Sequence, residues 1–134
     1  IVSGAALAQD LIIDDIPVVR GQSGNPQEQF ESSTFIYPNP VSGSQATFNI
    51  FVPFQSNIVL KIFNVAGELA YEKNFANQPP SINNGTTGPI SFVWPLTNAA
   101  GRRVAPGVYF VVIREEENLG GGNVLQTVKK ILVQ

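Results

Sequence analysis

Residues Trp94–Ile113 read "WPLTNAAGRRVAPGVYFVVI", and the reading of this stretch decides the fold. It begins on the single tryptophan and passes through a Gly/Pro-rich turn carrying Arg102 and Arg103. It ends in Gly107–Ile113, a run that is apolar throughout. Gly107 supplies backbone freedom where the turn enters the run. A short apolar run rich in β-branched and aromatic residues reads as a central strand covered on both sides. Trp94 and Tyr109 are large enough to anchor a core on either side of the turn.

Working outward, the same grammar repeats. "ATFNIFV" places Phe48, Ile50 and Val52 on one face, and "NIVLKIFNV" does the same for Ile58, Leu60 and Ile62. "ELAYEKNF" groups Leu69, Tyr71 and Phe75, and "ISFVW" groups Ile90, Phe92 and Trp94. "TFIYP" opens the series, and "VLQTVKKILV" closes it after the loop "REEENLGGGN". Seven short alternating runs, with turn signals between them and no convincing amphipathic helix, predict an all-β fold. The expectation is a seven-stranded antiparallel immunoglobulin/fibronectin-like sandwich over residues 34–134, with Trp94, Tyr109, Phe48 and Leu60 as core anchors. The chain has no Cys, so core packing alone must hold the two sheets.

Composition removes several functions. The net charge of −2 leaves no electrostatic footprint for nucleic acid, and no apolar run is long enough for a membrane span. Without Cys or His, thiolate catalysis, the usual general base and the main zinc ligands are missing. An enzyme is therefore not expected, and neither is a cofactor or a metal. Asp10, Asp14 and Asp15 match no Ca²⁺-loop spacing, and Glu115–Glu117 read as a solvated hairpin tip. Lys129 and Lys130 interrupt the last alternation, as at a bulge or a charged edge. Asn84-Gly85-Thr86 satisfies the N-x-[ST] glycosylation pattern, although a plain Asn-Gly turn is the preferred reading.

The first 33 residues read differently. "IVSGAALAQD" carries the A-x-A pattern at Ala6-Leu7-Ala8 that ends secretory signal peptides, and "LIIDDIPVV" follows as a second apolar patch. The polar stretch Arg20–Ser33 reads as a linker. Residues 1–33 are thus expected to be an extended N-terminal arm and linker, with residues 1–19 as a strand donated to a neighbour. In such β-strand addition, main-chain hydrogen bonds supply affinity and alternate side chains fill pockets. Ile1, Val2, Ala5, Leu7, Leu11, Ile13, Ile16 and Val18 would carry the contact.

Four motifs then fall in order: "FIYPNPVSG" (Phe35–Gly43), "LKIFNVAGEL" (Leu60–Leu69), the Trp94–Ile113 stretch, and "KKILV" (Lys129–Val133). Together they resemble the C-terminal sorting domains of type IX secretion cargo and the related Ig-like domain of the flagellar hook-capping protein. The resemblance covers roughly residues 34–134. Those families usually show Asp-Gly after the tryptophan, where this chain has Pro95-Leu96. The resemblance implies a secretion tag. With no passenger in the 134 residues, the expectation is instead a non-catalytic extracellular subunit that self-assembles into a surface filament by donor-strand exchange, its partners being copies of itself. The alternatives are a type IX sorting or anchoring module meeting the secretion machinery, or a carbohydrate- or surface-binding module with Phe51, Phe54 and Phe63 as its aromatics.

Overall fold

The computed structural model describes residues 25–81, 88–118 and 120–134. It contains a short helix, α1 (Pro26–Ser33), and seven strands: β1 (Phe35–Tyr37), β2 (Ala46–Ile50), β3 (Ser56–Phe63), β4 (Leu69–Gln78), β5 (Ile90–Trp94), β6 (Gly107–Glu117) and β7 (Val124–Val133). The strands form two sheets, ordered β1-β2-β5 and β4-β3-β6-β7, and every pairing between neighbouring strands is antiparallel. The fold is an all-β sandwich. Its fourth strand joins the larger sheet beside β3 rather than the smaller one, which separates it from the immunoglobulin constant arrangement.

The core forms because alternating positions on both sheets are apolar. Phe48, Ile50, Ile58, Leu60, Ile62, Val111, Ile113 and Ile131 are buried from the two inner faces. Trp94 stands at the centre, edge-on to Tyr109 with centroids 6.1 Å apart and to Phe48 at 6.4 Å. Its indole N–H donates to the Thr97 carbonyl at 2.9 Å, so burial leaves no orphaned donor. Tyr109, at the start of β6, donates its hydroxyl to the Ala105 carbonyl at 2.6 Å. A tyrosine bonded to backbone a few residues upstream at this corner is a recurrent lock in Ig-type sandwiches.

Two turns are built alike. In Asn64-Val65-Ala66-Gly67 the Asn64 side-chain oxygen accepts from the N–H groups of Ala66 and Glu68, at 2.9 and 3.0 Å. In Asn98-Ala99-Ala100-Gly101 the Asn98 oxygen accepts from Ala100 and Arg102 at the same distances. Gly67 and Gly101 close the two turns with φ of 81° and 82°, a region that any side chain would strain.

The polar stretch expected to be a linker holds α1. Asn25 caps it through a reciprocal box with Glu28, and Pro26 sits at its first position. Eight residues with this composition would not hold a helix alone. Phe30 explains why it forms: this ring is fully buried in the core. The Lys129 ammonium donates to the Glu31 carbonyl at 2.7 Å, satisfying one of the open groups at the end of the helix. Strand β7 pairs with β6 without a register break, so no bulge accounts for Lys129 and Lys130. Lys129 keeps the inward parity of Thr127 and Ile131 and spends it on the helix end.

After Tyr37 the chain crosses between sheets. The Tyr37–Pro38 and Asn39–Pro40 bonds are both cis, and Val41 then bridges Val133 in parallel. The outer edge of β7 is therefore covered by several partners. Gln27 donates to the Gln126 carbonyl at 2.9 Å, and Val41 donates to that of Leu132 at 2.8 Å. Between them, the Asn39 side chain donates to the Lys130 carbonyl and accepts from the Leu132 N–H. Natural sandwiches cover edges in this way because a bare edge invites unwanted pairing.

Candidate functional site

The residues expected to matter divide into three groups. The arm residues Ile1, Val2, Ala5, Leu7, Leu11, Ile13, Ile16 and Val18 lie outside the described residues, as do Asn84 and the acidic Asp10, Asp14 and Asp15. Trp94, Phe48 and Leu60 are fully buried, and Tyr109 is nearly so. Burial raises the Tyr109 phenol above its ordinary value. Arg102 and Arg103 are exposed on their turn, and Arg103 donates to the Gly43 carbonyl at 3.1 Å.

Glu115–Glu117 are not a solvated tip. All three belong to β6, which runs past its apolar stretch, and the tip starts at Asn118. Alternation then forces Glu115 inward. It stands directly across from Ile58 on β3 and Leu125 on β7, both buried. Neither carboxylate oxygen has a hydrogen-bond partner among the described residues. Burial lifts its pKa from an ordinary 4.5 to about 8. A carboxyl in such surroundings is held in its neutral form. Among the described residues, no group of three or more His, Cys, Asp or Glu side chains is placed to hold a metal ion.

The exposed aromatic side chains are not those expected. Phe54 packs against the core, and Phe51 and Phe63 are half-buried. Phe35 and Tyr37, each 48% exposed, stand on the outer face of the three-stranded sheet with ring centroids 5.8 Å apart. Register places Thr47, Asn49, Ser91 and Val93 on that same face.

The outer face of the four-stranded sheet is more apolar. Register aligns Phe63 on β3 with Phe110 on β6, and Val112 on β6 with Val128 on β7. Val108 lies across from Leu132 in the next row. Phe110, Val128 and Leu132 are exposed, so β6 is not covered on both faces by the described residues. Leu69 joins this outer face. A register shift between Ile62 and Phe63 sets Leu69 across from Phe63 and separates it from Tyr71 and Phe75, which pack on the core. An extra residue in one strand inverts facing beyond it, and Ala70 is that residue here. Among the described residues, no helix is long and apolar enough to cross a membrane.

No family model matches the chain, and no curated protein does. Solved structures are similar to it. Dimeric latent PorU from Porphyromonas gingivalis is 25% identical with a TM-score of 0.57, over 75% of this chain and 9% of that one. FlgD from Xanthomonas campestris, whose structure addresses hook capping in flagellar assembly, is 15% identical with a TM-score of 0.49, over 76% of this chain and 70% of that one. Truncated FlgD from Helicobacter pylori is 19% identical with a TM-score of 0.47, over 76% and 73%. The chain thus corresponds to a small part of the length of PorU.

Proposed function

We propose that this chain is an exported, non-catalytic β-domain that acts as a type IX secretion sorting or anchoring module. The similarity to PorU carries the reading, because a 25% identical sandwich there occupies 9% of a long protein. The ordered motifs of residues 34–134, which resemble type IX sorting domains, support it independently. Partners along the β7 edge leave little of it open to unwanted pairing, which suits a stable module presented at a surface. In this reading its partner is the secretion machinery, and its place is the cell surface.

The test is export. A reporter fused ahead of the full chain is expressed in Porphyromonas gingivalis, with and without a working type IX system. Surface display that needs both the system and β7 is the expected result. A reporter held inside the cell envelope in the working strain overturns the reading.

A second reading keeps self-assembly, with residues 1–19 donated as a strand to another copy. The observation in its favour is β4, a ten-residue edge strand whose outer side pairs with no described strand. Electron microscopy of the purified chain should show filaments, and removal of residues 1–19 should abolish them.

A further inference from the structure

The two sides of the sandwich end differently. On one, Gln27, Asn39 and Val41 cover the β7 edge. On the other lie β4 and β5, whose outer edges pair with no described strand. Bare edges of this kind invite pairing with another chain. Strand β4 is the longer, at ten residues, and two irregularities shorten its regular edge. Ala70 is the extra residue at one end, and at the other Ala76 and Asn77 stand against Asn57 alone. Asn77 has φ of 55°, and its N–H donates to the Asn57 side chain at 2.8 Å. The regular stretch between these bulges is Tyr71–Phe75, with Lys73 at its centre.

Register makes Lys73 the unusual member of that stretch. Tyr71, Lys73 and Phe75 stand across from Ile62, Leu60 and Ile58, all buried. Lys73 therefore shares the inward parity of two rings that pack on the core. Its ammonium lies 5.8 Å from the ring centre of Phe75 and 5.9 Å from that of Phe92 on β5. Phe92 in turn stacks on Tyr71 at 6.2 Å and meets Phe75 edge-on at 5.7 Å. The lysine thus reaches from one sheet to the other across the open side, attracted to both ring faces. An inward-pointing charge on an edge strand opposes association, because a strand added there would strip its water without supplying a partner.

Symmetry adds to the cost. Two copies pairing their β4 edges about a two-fold axis set one residue against its own counterpart. The register that uses all of Tyr71–Phe75 sets Lys73 against Lys73, and centring the pairing one residue earlier sets Glu72 against Glu72. Like charges directly opposed destabilise a ladder. We propose that Lys73 guards the open side of the sandwich, its inward ammonium keeping β4 from pairing with β4 of a second copy. Donation of any other strand to β4 must likewise displace Lys73 from its two rings. The guard does not depend on the sorting reading, since a bare edge needs protection whatever the domain does.

Sedimentation velocity on the full chain tests the guard. Lys73→Val replaces the charge with an apolar, β-branched side chain and should associate at severalfold lower concentration than the parent. Lys73→Arg keeps the charge and should match the parent. Amide hydrogen exchange on the associated Lys73→Val protein should show protection gained within Tyr71–Phe75. A Lys73→Val protein that sediments as the parent does overturns the proposal, as does a Lys73→Arg protein that associates like Lys73→Val. Association that leaves exchange at Tyr71–Phe75 unchanged places the contact elsewhere and overturns it too. Failure of reporter export would leave these results standing, so the two readings fail separately.

Discussion

The side-chain carbonyl of Asn39 accepts a 3.0 Å hydrogen bond from the backbone N–H of Leu132, while its amide donates to the Lys130 carbonyl at 2.8 Å. One side chain thus takes the place of a peptide group from a neighbouring strand. Asn39→Ala should cost about 1–3 kcal/mol, because it removes two hydrogen bonds worth roughly 0.5–1.5 kcal/mol each at exposed β7 groups. Asn39→Asp should cost more, since a carboxylate cannot donate to Lys130 and sets its charge against that carbonyl. Denaturant unfolding of the two variants measures the order.

Glu115 makes stability depend on pH. Its folded pKa of about 8 lies above the ordinary 4.5, so the native state holds a proton that the unfolded chain releases. Its contribution is therefore fully present below 4.5 and is lost as pH rises through 8, by on the order of 4 kcal/mol in total. Glu115→Gln should flatten that slope and leave the protein more stable than the parent at pH 8. Thermal melts from pH 5 to 8.5 test this, and equal slopes for both proteins contradict the burial argument.

Leu96 is fully buried yet has φ of 59°, a left-handed backbone that branched and bulky residues avoid. Replacement by Ala or Gly should destabilise by about 2–5 kcal/mol through the cavity left behind. Only Gly also releases the backbone, by roughly 1–2 kcal/mol. Leu96→Gly should therefore be the more stable of the two, the reverse of the order found in ordinary helices and strands. Paired unfolding curves decide it.

Phe30 holds α1 on the sandwich. Phe30→Ala should cost about 3–5 kcal/mol and should also free the helix, which is too short to persist unaided. Hydrogen exchange should then rise along Gln126–Leu132, the stretch of β7 that Gln27 and Lys129 border.

Much of this molecule was legible in its residues. Strands β2 and β3 follow period-two alternation without a break, and Trp94, Phe48 and Leu60 are buried as large apolar residues at such positions must be. Three features resisted. Leu69 changed faces because a single extra residue at Ala70 inverts parity, and nothing in "ELAYEKNF" announces a bulge. The fate of Glu115 depended on how far β6 continues beyond its apolar run, which is set by pairing with β3 and β7 rather than by local propensity. Helix α1 has one apolar residue on which to build a pattern, although Asn25-Pro26 with Glu28 spells a capping box. The Asn-x-Ala-Gly repeat at residues 64–67 and 98–101 was equally available as a signal for two matching turns.

The parallel bridge between Val41 and Val133 sets how the domain meets a mechanical load. A pull applied at Asn25 and Gln134 would draw these two chain ends past one another. The bonds of Asn39 and Val41 to β7 would then be sheared together instead of unzipped in turn. A module tethered by both ends at a surface would hold rigidly up to a threshold force and then give way at once.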